Sequence, residues 1–273
     1  MSRAQAVQQF IPDARVFTDP VRTFAYGTDA SFYRLNPKMV IKVHNEGEVA
    51  RLLPLARKHA VPVTFRAAGT SLSGQALTDS VLLKISHSGK NWRGYKIHVR
   101  FLPRSEPRMR GVGTACTIQP RAGVEDAAGA GRRRGRVQGD GSQITVQPGL
   151  IGGEVNRILQ HHHRTARTAT QYKIGPDPSS IDSCMIGGIV ANNSSGMCCG
   201  VSQNTYHTLR DARIVFADGT VLDTADAASR RRFEVSHAGL LRGVSELAQR
   251  VQVRRRARAR PCCAPPCPPT VCR

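Results

Sequence analysis

Three short apolar runs, separated by a helical repeat and by a glycine-bearing loop, occupy the first third of the chain and leave it few possible folds. Met39-Val40-Ile41-Lys42-Val43 is the first run, Pro62-Val63-Thr64-Phe65-Arg66 the second and Val81–Ile85 the third. Between the first two, Asn45 with Glu48 three residues on is a capping box, and Val49, Leu52, Leu53 and Ala56 share one face of a helix that runs to about His59. Pro54 lies inside that helix and predicts a kink or an early end, because it removes a backbone hydrogen bond. A strand, a crossover helix and a strand at this spacing predict a small parallel sheet with right-handed connections.

The second half has a different rhythm. Gly94-Tyr95-Lys96-Ile97-His98 reads as a strand, the pattern then lapses, and it resumes at Gly139-Asp140-Gly141-Ser142 ahead of Gln143-Ile144-Thr145-Val146-Gln147. With residues 99–138 set aside, the two flanks form a hairpin across an Asp-Gly turn. An amphipathic helix follows over 154–159, then the loop Ile174-Gly175-Pro176-Asp177-Pro178, a helix capped by Ser179 with Asp182 three residues on, and a second hairpin, 212–222, turning at Asp218-Gly219. The expectation is an α+β fold of two subdomains, a small βαβ parallel sheet (26–98) followed by an antiparallel sheet with flanking helices (139–250), behind an N-terminal extension (1–25).

Composition decides what the remaining segments are. The net charge of +21 raises nucleic acid as a partner, but more than half of it sits in two places. Residues 99–138 hold nine Arg against Glu106, Glu125 and Asp126, and residues 251–273 hold six Arg and no acid. Both are Gly-, Ala- or Pro-rich and without periodicity, so they read as disordered: an insertion at a hairpin tip and a tail. A retained intron or a shifted reading frame produces such segments, which the transcript sequence tests. With 5% aromatic residues the rest lacks the stacking surface of a nucleic-acid platform. The rival reading, a basic interaction protein, requires salt-dependent binding to acidic partners that is lost with those two segments.

No apolar run approaches the ~20 residues that span a bilayer, and the first residues lack the pattern of a secretion signal. Four of the eight cysteines fall in the tail, and no CxxC is present, which argues against a metal site and for a reducing, intracellular compartment. His161-His162-His163 on a helix point in different directions and read as solvated; Cys198-Cys199 read as small buried hydrophobes.

Two loops carry chemistry. Arg66 to Gly74 follows a strand and holds two glycines and three hydroxyl residues, so its successive amides suit an anion, although a plain polar turn has the same composition. It is neither a Walker A loop nor GxGxxG. The second, Gly187-Gly188-Ile189-Val190-Ala191-Asn192-Asn193-Ser194-Ser195-Gly196, packs small residues where another backbone or a flat ligand approaches, and its paired Asn offer donors and acceptors to a heterocycle edge.

Taken together, PVTFRAAGTSLSGQ (62–75), QPGLIGGEVN (147–156), IGPDPSSI (174–181) and GGIVANNSSGMCCGVSQNTYHTL (187–209) resemble the PCMH-type FAD-binding domain of the D-lactate dehydrogenase and glycolate oxidase family, within the vanillyl-alcohol-oxidase-type flavoproteins. The resemblance covers about 26–233 outside 99–138. It implies that Arg66, Ala67, Ala68, Gly69, Thr70, Ser71 and Gly74 wrap the FAD pyrophosphate. Pro148, Gly149, Pro176 and Asp177 would border the cofactor, Gly187, Gly188, Asn192, Asn193 and Gly196 would line the flavin and ribityl chain, and Ile214 would touch the adenine by its backbone. Thr70 stands where relatives with covalent flavin carry His, which implies non-covalent FAD. The implied reaction is hydride removal from the α-carbon of a D-2-hydroxy acid to the flavin, with a cytochrome, a quinone or another electron acceptor following. In relatives the base and carboxylate clamp lie in a C-terminal cap domain, so no catalytic residue is assigned, and a catalytically inactive flavin-binding fragment is the alternative. The implied location is mitochondrial in a eukaryote and cytoplasmic otherwise.

Overall fold

The computed structural model describes residues 3–85, 97–100 and 135–258. The chain divides into two compact units, Met1–Val221 and Leu222–Arg273. The first opens with α1 (Arg3–Gln8), β1 (Val16–Phe17), α2 (Pro20–Ala25), β2 (Met39–Val43), α3 (Glu46–Lys58), β3 (Val63–Arg66) and β4 (Val81–Ile85). It continues with β5 (Ile97–Arg100), β6 (Gly135–Gln138), β7 (Gln143–Val146), α4 (Gly152–Ala166), α5 (Ile186–Ala191), α6 (Thr205–Thr208), β8 (Leu209–Asp211) and β9 (Arg213–Val215). β10 (Val221–Asp223) closes a hairpin with β9, and α7 (Ala227–Ser236) and α8 (Ala238–Arg258) follow.

The βαβ expectation holds. β2, β4 and β3 are parallel neighbours in that order, with β1 antiparallel on the outer edge of β2. One face of this sheet, Met39, Ile41, Val43 and Leu83, packs on Val49 and Leu52 of α3 and on Val7 and Ile11; the other buries Val40 and Leu82 with Phe17. The capping box forms: the Asn45 side chain accepts from the Glu48 amide at 2.9 Å, and the Glu48 carboxylate accepts from the His44 amide at 2.8 Å. Arg15 adds two charge-assisted bonds to the same carboxylate, at 2.9 and 3.0 Å. Glu48→Ala keeps the amide that Asn45 caps but removes the bonds to the carboxylate from His44 and Arg15 at once, and is expected to lower the unfolding free energy by about 2 kcal/mol in urea titration.

α3 runs on through Pro54 to Lys58. The turn at Asp218-Gly219 lies against the same stretch of helix: a Cβ on Gly219 would come within 2.5 Å of the Ala50 carbonyl oxygen, the one that Pro54 leaves without its helical donor.

The antiparallel sheet has the order β6-β7-β5-β8. The Asp140-Gly141 turn joins β6 to β7, and β5 pairs with the far edge of β7, Ile97 opposite Val146. The expected hairpin partners therefore do pair, but the turn belongs to a neighbouring strand hidden in Arg- and Gly-rich sequence. Both ends of the segment 99–138, expected to be disordered, are thus strand; residues 101–134 lie outside the described residues, as do Tyr95 and Lys96. Ile144 and Val146 pack with Val155 and Leu159 of α4, Ile174, and Ile186 and Ile189 of α5 in a second core.

The helix expected after Ser179 does not form. α4 begins without a side-chain cap, and its first amides instead donate to carbonyls of the following loop, Gly152 to Cys184 at 3.0 Å and Gly153 to Ile181 at 2.8 Å. Residues 178–184 therefore turn rather than coil, because their carbonyls serve α4. The helix of this region is α5, which contains the glycine pair itself.

In the second unit Asp226 caps α7, accepting from the Ala228 and Ser229 amides, and Phe233 stacks on His237 with ring centroids 4.1 Å apart. α8 extends to Arg258, so residues 251–258, taken from the sequence as the start of a disordered tail, are helical; alanine, arginine and glutamine are good helix formers despite the low complexity. Residues 259–273, with the four tail cysteines, lie outside the described residues. No helix among the described residues is long and apolar enough to cross a membrane.

Candidate cofactor cleft

The loop after β3 is fastened from behind. The Lys84 ammonium, at the end of β4, donates to the Ala67 carbonyl, and the Ala30 amide donates to the Gly69 carbonyl at 3.1 Å. Gly69 and Gly74 take the left-handed conformation, φ +81° and +71°, which turns the chain without a Cβ penalty. Ser71 Oγ closes the far side, accepting from the Ser73 and Gln75 amides at 3.2 and 3.3 Å. With the loop held this way, the amides of Ala68, Gly69, Thr70 and Ser71 donate to no partner among the described residues. Consecutive free amides on a rigid loop are an anion cradle.

The small-residue segment meets this loop directly. A Cβ on Gly188 would sit 3.6 Å from Ala67 Cβ, and the Gly187 amide donates to the Pro148 carbonyl at 2.8 Å. The two stretches singled out in the sequence, more than a hundred residues apart, thus face one another across a cleft of about 620 Å³. That volume lies within the range of cofactor and ligand pockets.

Ten of the sequence-derived site residues line it: Ala67, Ala68, Gly69, Thr70, Ser71, Pro148, Gly187, Gly188, Asn192 and Ile214. The other seven stand behind or beside it. Arg66 does not enter the cleft; its guanidinium donates to the Thr28 carbonyl at 2.7 Å and the Tyr26 carbonyl at 3.3 Å. Burial lowers its pKa from the ordinary arginine value, opposed by Asp29 and Tyr26. Gly74 packs on the Tyr33 ring. Gly149 is buried next to Pro148, and Asn193 accepts from the Tyr206 amide at 2.9 Å. Pro176 leads into Asp177, which lies against Gly196, with the Asp177 amide donating to the Ser195 carbonyl at 3.2 Å and its carboxylate paired to Lys173 at 2.9 Å.

The residues that sequence reasoning missed are the apolar ones. Phe65 and Tyr206, 45% and 56% exposed, line the cleft beside Ile214, which the resemblance had already implied, so apolar surface that a core would normally cover is left open to the cleft. Strand alternation carried a signal for Phe65, which precedes the anion loop by two residues on the same strand. Arg213 also lines the cleft, and its guanidinium is tied to Glu46 at 2.7 Å.

Burial, with added repulsion from Arg66 and Lys42, pushes the Lys84 ammonium down to about 8. Other polar groups weighed in the sequence are structural. His162 bonds the Gly139 carbonyl and His163 bonds Thr168. Cys199 is buried and Cys198 exposed, so the pair is half as expected. No cluster of metal-ligating side chains occurs among the described residues.

A family model described as FAD binding domain matches residues 37–95 and 132–225, more than half of the chain, and both walls of the cleft lie within those blocks. The chain belongs to that family. FAD is accordingly its cofactor, and the free amides and small-residue wall fit a diphosphate joined to a flat ring. The family match passes over 96–131, most of the Arg- and Gly-rich stretch. Among solved structures, alkyldihydroxyacetonephosphate synthase is similar at 17% identity and TM-score 0.51, over 81% of this chain and 37% of that one. 6-Hydroxy-D-nicotine oxidase from Arthrobacter nicotinovorans is similar at 12% identity and TM-score 0.50, over 76% and 35%. Phl p 4, a grass pollen allergen with glucose dehydrogenase activity, is similar at 12% identity and TM-score 0.50, over 82% and 38%. These likenesses establish the PCMH-type FAD-binding fold, and the chain spans less than two fifths of the length of each. A search of curated proteins finds no match.

Proposed function

We propose that this FAD-binding domain serves a flavoprotein oxidoreductase acting on a D-2-hydroxy acid of the D-lactate type, with FAD held non-covalently. The observation that carries the cofactor half is the contact between the 67–71 loop and the Gly187-Gly188 wall around one cleft. The substrate half rests on the four sequence runs that resemble D-lactate dehydrogenases and glycolate oxidases.

Bound flavin supplies a hydride acceptor. The chain's own residues bind and orient it. The amides of residues 68–71 hold the diphosphate by charge-assisted hydrogen bonds. Gly187 and Gly188 let the ring lie against backbone, the Asn192 side-chain amide offers a donor and an acceptor to a heterocycle edge, and the Ile214 backbone meets the adenine. Arg66, Gly74, Gly149, Pro176, Asp177, Asn193 and Gly196 act one layer back, fixing the loops that make those contacts. Thr70, in place of a histidine, leaves no side chain suited to a covalent flavin bond in that loop. No base or carboxylate clamp is assigned to this chain. A cytochrome or quinone is the proposed electron acceptor, and a reducing intracellular compartment suits the cysteine pattern.

The test is anaerobic mixing of the FAD-loaded protein with D-lactate, glycolate and D-2-hydroxyglutarate, each D acid against its L form. Loss of the oxidised flavin spectrum with a D acid and not its L form is the expected result. A flavin that stays oxidised with all of them removes the substrate assignment and leaves a flavin-binding module.

A further inference from the structure

The C-terminal ends of the parallel strands carry a feature that folding alone does not account for. Lys84 on β4 is in register with Lys42 on β2 and with Arg66 on β3. Residues in register on adjacent strands share a face and lie about 5 Å apart along the hydrogen-bonding direction, and like charges so placed destabilise a sheet. The row therefore puts three cations side by side. Of the surrounding elements, Lys42 rests over the Phe17 ring of β1 at 4.7 Å, and Arg22 of α2, over the same ring at 4.5 Å, is paired to Asp19. Among the described residues Asp29 acts on the row through Arg66, and its Oδ2 is buried without a hydrogen-bond partner. The charges acting on Lys84 at its centre are those of Arg66 and Lys42, with no carboxylate among them.

The row also lies directly beneath the anion loop. Lys84 donates to the Ala67 carbonyl, and a Cβ on Gly69 would come within 2.4 Å of the Arg66 guanidinium. The free amides of residues 68–71 belong to the same loop. Ligands of parallel sheets bind outside the carboxyl ends of the strands, where this row stands.

We infer that Lys84, at the centre of the Lys42–Lys84–Arg66 row, is a positioning residue for the cofactor's diphosphate, tying the loop to the sheet through Ala67 and supplying the positive charge beneath it. The inference rests on the cofactor reading of the cleft and adds to it a pH dependence. A bound dianion stabilises the charged ammonium, so FAD binding takes up a proton once the free protein has lost it, and affinity falls as pH rises through about 8. The opposite sign holds for the stability of the FAD-free protein. Lys84 has a lower pKa folded than unfolded, the unfolded chain binds the extra proton between about 8 and the ordinary lysine value, and this group's contribution makes the fold more stable as pH rises across that window. A role confined to the fold gives the second trend without the first.

The experiment is FAD titration of the full chain as wild type, K84M and K84R, from about pH 7 to about pH 9.5, with thermal unfolding of each FAD-free protein alongside. Expected for K84M at neutral pH is a roughly tenfold weaker FAD affinity, the effect of one charge several ångströms away in a protein-like dielectric, and a flat pH profile. K84R, charged throughout, keeps the neutral-pH affinity of the wild type and loses its decline above about pH 8. K84M with wild-type affinity, or with the wild-type pH profile, overturns the inference while the cofactor reading stands. Wild-type protein that takes up no FAD at any pH overturns the cofactor reading and the inference together.

Discussion

Gly196→Ala is expected to cost roughly 3 kcal/mol of stability, at the upper end for overpacking, and to abolish FAD retention. A Cβ there would lie 1.9 Å from the Asp177 carbonyl oxygen and 2.3 Å from its carbon. Both are backbone atoms of a loop that the Asp177 amide binds to Ser195 at 3.2 Å, so no side-chain rotation relieves the clash. The two loops must separate, and the Asn192-Asn193 turn, which is continuous with Gly196, moves with them. The urea midpoint reports the loss. Gly243→Ala is the control: nothing lies within 4 Å of the added methyl on exposed α8, and it is expected to stabilise by about 0.5–1 kcal/mol through helix propensity.

Gly69→Ala separates binding from folding. The residue has φ +81°, and its Cβ would meet the Arg66 guanidinium at 2.4 Å, a group fixed by the Thr28 and Tyr26 carbonyls. The left-handed conformation alone costs about 1–2 kcal/mol for a non-glycine residue, so the protein should still fold. The loop must change shape to do so, withdrawing amides from the diphosphate. Loss of two hydrogen bonds to a charged group, at about 1.5 kcal/mol each, corresponds to a roughly hundredfold rise in Kd for FAD. Titration of the variant with FAD, beside its melting temperature, measures both; unchanged affinity would show that these amides do not carry the diphosphate.

Local signals in the sequence were sufficient where local forces decide the structure. Asn45 and Glu48 cap α3 as their spacing implies, and the three apolar runs become the three parallel strands, β2 and β4 buried on both faces. The turns of the loop after β3 were legible from Gly69 and Gly74, which occupy its positive-φ positions. Ser179-x-x-Asp182 imitates a capping box, yet a non-local demand won: α4 has no side-chain cap and draws on the carbonyls of Ile181 and Cys184. β6 escaped notice because Gly135 and Arg136 blur the alternation that Val137 begins. The resemblance implied Arg66 among the residues around the pyrophosphate; its guanidinium bonds the Tyr26 and Thr28 carbonyls, partners about forty residues away that no local spacing indicates. The cation row was equally invisible, since register between Lys42, Lys84 and Arg66 is a property of strand pairing and not of spacing.

The most direct test of the account is the uptake of FAD by the full chain: incubation with excess cofactor, gel filtration, and measurement of flavin per protein before and after acid precipitation. One flavin per chain on the column and its complete release into the acid supernatant are the expected results. A colourless protein peak would contradict the diphosphate cradle and the small-residue wall as a cofactor site, and flavin that stays with the precipitate would contradict non-covalent binding.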